Sequence, residues 1–141
     1  MGLRCGTLVT NVRTMAPATQ SRVLLVEDYA DAREMYAEYL ARAGFKIIEA
    51  ADGEEGLNTA LEAVPDLIVL DIGLPKIDGL TVARRLRAEA ATARVPIIAL
   101  SANTLLHFAP LALEAGCSVA MSKPCLPEEL LLAIRGLLET G

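Results

Sequence analysis

The amino-acid sequence predicts an α/β fold in which five parallel strands form a doubly wound sheet. Two patterns support this prediction. Short runs of leucine and β-branched residues, typical of buried parallel strands, recur five times along the chain. Each run is followed by a segment with apolar residues at helical spacing. Because helices form the crossovers between parallel strands, this alternation favours a sheet covered by helices on both faces.

The first half of the chain supplies three of the predicted strands. These strands are Arg22–Val26, Phe45–Glu49 and Asp66–Leu70. The first helix is predicted over Tyr29–Ala43, and Gly44 follows where a C-terminal cap is expected. The second helix is predicted over Gly53–Ala63, and Pro65 lies just beyond its end. Each helix is long enough to connect two neighbouring parallel strands.

The second half of the chain continues the same pattern. The remaining predicted strands are Val95–Leu100 and Val119–Ser122. Asp78 and Gly79 open the third helix, which is predicted to continue through Ala90. The final helix begins at Pro127, a residue favoured in the first helical position, and two glutamates then face the positive helix start.

The segment after the fourth strand is apolar but contains Pro110 where a helix interior would otherwise be expected. Proline has no backbone N–H, and its ring clashes with the preceding turn. We therefore expect a short helix that starts near Ala109 and ends at Gly116. Three apolar residues before the proline fit either core packing or a partner surface: Leu105, Leu106 and Phe108.

Composition indicates one globular domain. The 141 residues are 53% hydrophobic and 22% charged, with a net charge of -5, which gives no support for direct nucleic-acid binding. No apolar stretch is long enough to span a membrane. Cys5, Cys117 and Cys125 lack a disulfide or zinc spacing, so we expect reduced thiols in a cytoplasmic protein. Cys117 and Cys125 are expected to pack as small apolar groups.

Residues 1–20 do not resemble the rest of the chain. They contain scattered polar residues and no continuous apolar core, so a signal peptide is not expected. Met15 lies shortly before the first strand and could be the real start of translation. We predict that residues 1–20 are a disordered leader or an artefact, and that the folded domain covers residues 21–141.

Three acidic residues follow two of the predicted strands. Glu27 and Asp28 come after the first strand, and Asp71 comes after the third. In a sheet of strand order 2-1-3-4-5 these strands are neighbours at the switch point, where such folds bind ligands. Carboxylates gathered there would repel one another unless a cation bridged them, and oxygen ligands suit Mg²⁺. Asp28 and Asp71 are the expected direct ligands, Glu27 would act through water, and the Gly73 backbone carbonyl is a further candidate.

A hydroxyl and an ammonium group follow the last two strands. Ser101 ends the fourth strand, and Lys123 follows the fifth. An aspartate can itself attack a phosphoryl group, so Asp71 is a candidate nucleophile that would form an aspartyl phosphate. Lys123 would neutralise phosphoryl charge, and Ser101 would donate a hydrogen bond to a phosphoryl oxygen. A cis bond between Lys123 and Pro124 would direct the lysine across the site.

Five short motifs carry a resemblance to a known family. They are Val-Glu-Asp at 26–28, Leu-Asp-Ile-Gly-Leu-Pro-Lys-Ile-Asp-Gly at 70–79, Ala-Leu-Ser-Ala at 99–102, Ala-Gly at 115–116 and Lys-Pro at 123–124. Because the five motifs occur in this order, the chain resembles the receiver domain of two-component response regulators, in particular the stand-alone kind found in chemotaxis. The resemblance implies a flavodoxin-like fold and a signalling domain that is not an enzyme.

The resemblance also implies roles for particular residues. Asp71 would accept a phosphoryl group from a histidine kinase or a histidine phosphotransfer protein in a Mg²⁺-dependent reaction. Ser101 would then move toward the phosphoryl group as a switch hydroxyl. That movement would alter the face formed by the last two strand–helix units, where a downstream protein or a second copy of the chain would bind.

The chain departs from the family pattern in the fifth strand. Ala120 stands where receivers usually carry Tyr or Phe, so the usual aromatic movement cannot occur, and Cys125 stands where Phe is frequent. These departures leave open a degenerate receiver that binds partners without phosphorylation. An aspartate-nucleophile phosphatase is a further alternative, but Gly73 replaces the second acid such enzymes use. His107, the sole histidine, is expected at the surface or in an interface because no helical bundle surrounds it.

Overall fold

A computed structural model describes residues 20–102 and 105–140, except for the side chains of residues 105, 106 and 140. The five strands are β1 (Arg22–Val26), β2 (Lys46–Ala50), β3 (Leu67–Asp71), β4 (Ile97–Ser101) and β5 (Val119–Ser122). The five helices are α1 (Ala30–Arg42), α2 (Gly53–Ala63), α3 (Gly79–Ala88), α4 (Leu105–Glu114) and α5 (Pro127–Thr140). Most boundaries lie within one or two residues of those predicted from the sequence.

The strands form one parallel sheet in the order β2-β1-β3-β4-β5. This confirms the predicted doubly wound fold. The chain first winds outward from β1 to β2 and then crosses back to β3 on the other side of β1. The switch point therefore lies between β1 and β3, and their carboxyl ends open at the same edge of the sheet.

The helices divide between the two faces of the sheet. Helices α1 and α5 cover one face, and helices α2, α3 and α4 cover the other. The buried strands β1, β3 and β4 contribute side chains alternately to both faces, since successive residues of a strand point in opposite directions. The core therefore consists of two apolar layers with the sheet between them, which fixes the position of each strand end.

The predicted start of α4 is wrong. The helix begins at Leu105 rather than near Ala109, and Pro110 lies inside it. A proline at the sixth position removes a single hydrogen bond, and Pro110 is exposed. Phe108 and Ala112 are buried against the sheet, and this packing outweighs the local preference against helix. Phe108 thus belongs to the core, whereas the side chains of Leu105 and Leu106 lie outside the described residues.

Close packing of α2 against the loop after β3 gives a stability prediction. A Cβ atom at Gly53, the first residue of α2, would lie 1.9 Å from the carbonyl oxygen of Ile77. We expect Gly53→Ala to lower the free energy of unfolding by about 1–3 kcal/mol because the loop must move. Gly136, inside α5, has nothing within 4 Å of the corresponding position. Gly136→Ala should raise the free energy of unfolding by about 0.5–1 kcal/mol.

Urea denaturation of the two glycine variants beside the unmodified chain measures both effects. Both substitutions add one methyl group. Changes of opposite sign in the free energy of unfolding would therefore reflect the different surroundings of the two glycines. Equal effects of Gly53→Ala and Gly136→Ala would contradict the close packing of α2 on the loop.

Candidate functional site

The register of the strands brings the predicted site residues to one edge of the sheet. The paired residues near the ends of neighbouring strands are Val26 with Leu70, Asp71 with Leu100, and Ser101 with Ser122. Glu27 follows β1 at the level of Asp71, and the Lys123 amide donates to the Ser101 carbonyl at 2.8 Å. The site is therefore built from the ends of four adjacent strands.

Lys123 connects two of the acidic side chains. Its Nζ atom lies 2.8 Å from Glu27 Oε1 and 3.0 Å from Asp71 Oδ2. Burial by itself would lower the pKa of Lys123, but the hydrogen bonds to these carboxylates outweigh burial and leave that pKa raised. The lysine therefore stays positively charged beside Asp71. The peptide bond between Lys123 and Pro124 is cis.

The three predicted acidic ligands lie together. Glu27, Asp28 and Asp71 each offer an oxygen within 4.8 Å of the others. Glu27 is 2% exposed and Asp71 is 6% exposed, whereas Asp28 faces solvent. Burial raises the pKa of Glu27, the nearby Asp71 raises it further, and the hydrogen bond from Lys123 opposes this rise. A cluster of carboxylate oxygens with this spacing fits a small divalent cation such as Mg²⁺.

Backbone and side-chain donors orient these acids. The Gly73 amide donates to Asp71 Oδ1 at 3.1 Å, and the Tyr29 amide donates to Glu27 Oε2 at 3.1 Å. Arg33 donates to the Glu27 backbone carbonyl at 2.8 Å and pairs with Glu49 at 3.2 Å. Sequence reasoning missed Arg33 because its contact is with a carbonyl group, which carries no residue-type signal.

A cavity of about 250 Å³ opens above Asp71. Its lining residues are Asp71, Ile72, Gly73, Ser101, Ala102 and Lys123. Ser101 lines this cavity and is 4% exposed. Gly73 contributes no side chain, which leaves room beside Asp71. The role of its carbonyl as a metal ligand stays a prediction.

The histidine and the cysteines among the described residues belong neither to the acidic cluster nor to its pairing with Lys123. His107 is exposed on α4, as expected. Cys117 and Cys125 are each 5% exposed and pack in the two apolar layers. Burial raises the pKa of Cys117 to about 11 and raises that of Cys125 as well, so both thiols stay protonated at neutral pH. The expectation that these two cysteines behave as small apolar groups is confirmed.

The strand order, with an acidic cluster and a lysine at the carboxyl edge, defines a receiver-type domain. The chain belongs to the response regulator receiver domain family, whose family model matches residues 23–135. Among solved structures it is similar to the chemotaxis response regulator CheY4 of Vibrio cholerae. The identity is 29%, the TM-score is 0.80, and the match covers 84% of this chain and 99% of that one.

A second solved structure is that of the receiver domain of a Pseudomonas aeruginosa sensor histidine kinase. It is 31% identical, with a TM-score of 0.79 and coverage of 86% of this chain and 99% of that one. That structure contains a magnesium ion in its active-site cleft.

Curated relatives are longer than this chain. The DNA-binding dual master transcriptional regulator RpaA of Synechocystis is 35% identical over 117 residues, or 83% of this chain and 48% of the relative. The transcriptional regulatory protein ResD of Bacillus subtilis is 36% identical over 124 residues, or 88% of this chain and 50% of the relative. The chain therefore spans about half the length of the curated relatives it matches.

Among the described residues, none of the helices combines the length and apolar character needed to cross a membrane.

Proposed function

We propose that Asp71 is the phosphoacceptor of a two-component signalling pathway. The observation that carries this proposal is the position of Asp71 between an acidic cluster and the Lys123 ammonium, at the floor of an open cavity. The carboxylate of Asp71 is paired with the lysine and also lines the cavity, from which a phosphodonor can approach it. Family membership supports the same role, since receiver domains take part in phosphoryl transfer from histidine.

The reaction moves a phosphoryl group from a nitrogen to an oxygen. An oxygen of Asp71 forms a bond to the phosphorus of a phosphohistidine while the bond from phosphorus to the imidazole nitrogen breaks. The electron pair leaves with the imidazole, which is then available to take up a proton. Lys123 neutralises negative charge on the phosphoryl oxygens, and Ser101 lies in the same cavity, where its hydroxyl would donate to one of them.

Glu27, Asp28 and Asp71 are proposed to hold Mg²⁺. When bound, the ion would neutralise charge on the transferring phosphoryl group. Asp28 and Asp71 are the proposed direct ligands, and Glu27 is proposed to act through water. Gly73 is proposed to add its backbone carbonyl.

The proposed phosphodonor is a histidine kinase or a histidine phosphotransfer protein. The proposed output surface is the face formed by α4, β5 and α5, which would bind a downstream protein or a second copy of the chain. Leu111, Leu113 and Leu132 are exposed on α4 and α5 and supply apolar area for such a contact. We propose no direct nucleic-acid contact by the receiver itself, on the basis of its net charge of -5. The relatives that are about twice as long include transcriptional regulators. The proposal therefore concerns the receiver domain alone and not a longer protein that contains one.

Intact-mass measurement tests the phosphoacceptor directly. The chain is incubated with Mg²⁺ and either acetyl phosphate or phosphoramidate, and the mass is followed with time. We expect the addition of one phosphoryl group that hydroxylamine removes, since hydroxylamine cleaves acyl phosphates. Asp71→Asn should show no addition. Asp66→Asn is a matched control because Asp66 lies at the opposite end of β3, and it should behave as the unmodified chain.

Three results would contradict the proposal. Absence of an adduct with either donor would favour a degenerate receiver that binds partners without phosphorylation, an alternative that Ala120 motivates. Rapid release of phosphate from assorted phosphate esters would favour an aspartate-nucleophile phosphatase. Addition that persists in Asp71→Asn would place the phosphoacceptor elsewhere.

A further inference from the structure

Tyr36 makes a buried hydrogen bond to the turn that carries Lys123. The tyrosine lies on α1, is 5% exposed, and donates its hydroxyl proton to the backbone carbonyl of Cys125 at 2.5 Å. The two residues are 89 positions apart in the sequence. Burial raises the pKa of Tyr36, so the hydroxyl keeps its proton and remains a donor at neutral pH.

The turn between β5 and α5 is fixed on both sides of the lysine. On one side the Lys123 amide donates to the Ser101 carbonyl at 2.8 Å. On the other side the Tyr36 hydroxyl bonds to Cys125, two residues further on, and the Cys125 side chain is buried in the same apolar layer as Tyr36. The ammonium of Lys123 is therefore directed at Asp71 from a backbone segment that is tied at two points.

The same residues surround a second opening beside the site. Glu27, Tyr36, Lys123 and Cys125 all line a cavity of about 510 Å³ between the start of α1 and the start of α5. Tyr36 thus lies close to the pair formed by Lys123 and Glu27 without bonding to either. Its hydrogen bond to the segment that carries Lys123 is the one to the Cys125 backbone carbonyl.

We propose that Tyr36 is a positioning residue, which holds the β5–α5 turn so that Lys123 points at Asp71. The proposal rests on the proposed phosphorylation of Asp71. It adds a residue on the α1 side of the sheet to the phosphorylation machinery. Ala120, by contrast, packs on the opposite face, against the layer under α2, α3 and α4. A phenylalanine at position 36 would fill the same space but leave the Cys125 carbonyl without this donor.

The test compares Tyr36→Phe with the unmodified full-length chain. Tyr39→Phe is the matched control, since Tyr39 lies on the same helix and packs against the same apolar layer. The first measurement is the rate constant for adduct formation with acetyl phosphate at saturating Mg²⁺. We expect Tyr36→Phe to lower this rate constant about three- to tenfold, because a displaced lysine stabilises the transferring phosphoryl group less well. Tyr39→Phe should leave the rate unchanged.

A second measurement does not depend on phosphorylation. In chains labelled with ¹⁵N-lysine, exchange of the Lys123 ammonium protons with water is expected to be faster in Tyr36→Phe than in the unmodified chain or Tyr39→Phe. A purely structural role of Tyr36 would lower the melting temperature but leave both the rate constant and the exchange unchanged, and that result would overturn the proposal. If the unmodified chain forms no adduct, the phosphoacceptor assignment fails, and the exchange measurement still decides whether Tyr36 positions Lys123.

Discussion

Replacing Lys123 by methionine is expected to slow phosphorylation of Asp71 by about 100-fold or more. The ammonium lies 3.0 Å from Asp71 Oδ2, close enough to offset negative charge on the oxygens of the phosphoryl group that Asp71 is proposed to accept. Methionine retains most of the side-chain length and removes the charge. The same intact-mass measurement with acetyl phosphate and Mg²⁺ gives the rate constant.

A control variant distinguishes the specific effect of the Lys123 charge from the effect of removing a positive charge from the chain. Lys76 lies on the loop after β3, is exposed, and pairs with Asp52 at 3.4 Å. Lys76→Met removes the same charge from an exposed side chain that does not line the cavity. Its phosphorylation rate should stay within about twofold of the unmodified chain, since exposed pairs contribute little. A Lys123→Met rate within threefold of the unmodified rate would remove Lys123 from the proposed chemistry.

Neutralising Asp28 is expected to remove most of the affinity for Mg²⁺. Asp28 is the exposed member of the acidic cluster and the one without a bond to Lys123. Asp28→Asn should raise the dissociation constant by at least about tenfold, the lower end of the loss seen even for outer-shell partners of metal ligands. Isothermal titration calorimetry measures the constant. Asp31→Asn removes the same charge from an exposed residue in the first turn of α1, and it should leave the dissociation constant nearly unchanged.

Thermal unfolding provides an independent measure of the same site. At a Mg²⁺ concentration about 100 times the dissociation constant, binding stabilises the folded chain by about 2.7 kcal/mol. Asp28→Asn should lose most of this stabilisation. In the absence of Mg²⁺ it should be no less stable than the unmodified chain, because one source of repulsion among the carboxylates is gone. Equal stabilisation of both proteins by Mg²⁺ would place the ion elsewhere.

The fold and the main site residues were predictable because both depend on short local patterns. An apolar run of four or five residues followed by a polar residue identifies a parallel strand and its carboxyl end. Asp71 and Lys123 follow such runs, and the parallel arrangement then requires them to meet. The predicted strand order then indicates which strands lie side by side in the sheet. The local pattern and the topology together predict that these two residues lie at the same edge of the sheet.

The features that sequence reasoning missed depend on tertiary packing or on backbone acceptors. Pro110 was expected to mark the start of α4, but burial of Phe108 extends the helix past it. Arg33 and Tyr36 both bond to carbonyl groups, which every residue possesses, so no residue type reveals the partner. These contacts form because two elements lie close together in the folded chain. The pattern of residues within one helix or strand gives no information about that distance.

The double pairing of Lys123 also affects how tightly the site can hold a metal ion. With Glu27 and Asp71 both bonded to its ammonium, the domain carries a fixed positive charge inside its own acidic cluster. Any divalent ion that enters must share these two carboxylates with that charge, so its affinity is lower than three unpaired acids would give. A weakly held ion exchanges readily with the surroundings. The lysine proposed to favour phosphoryl transfer would thereby also keep a bound metal ion exchangeable, and occupancy of the site would follow the free concentration of the ion.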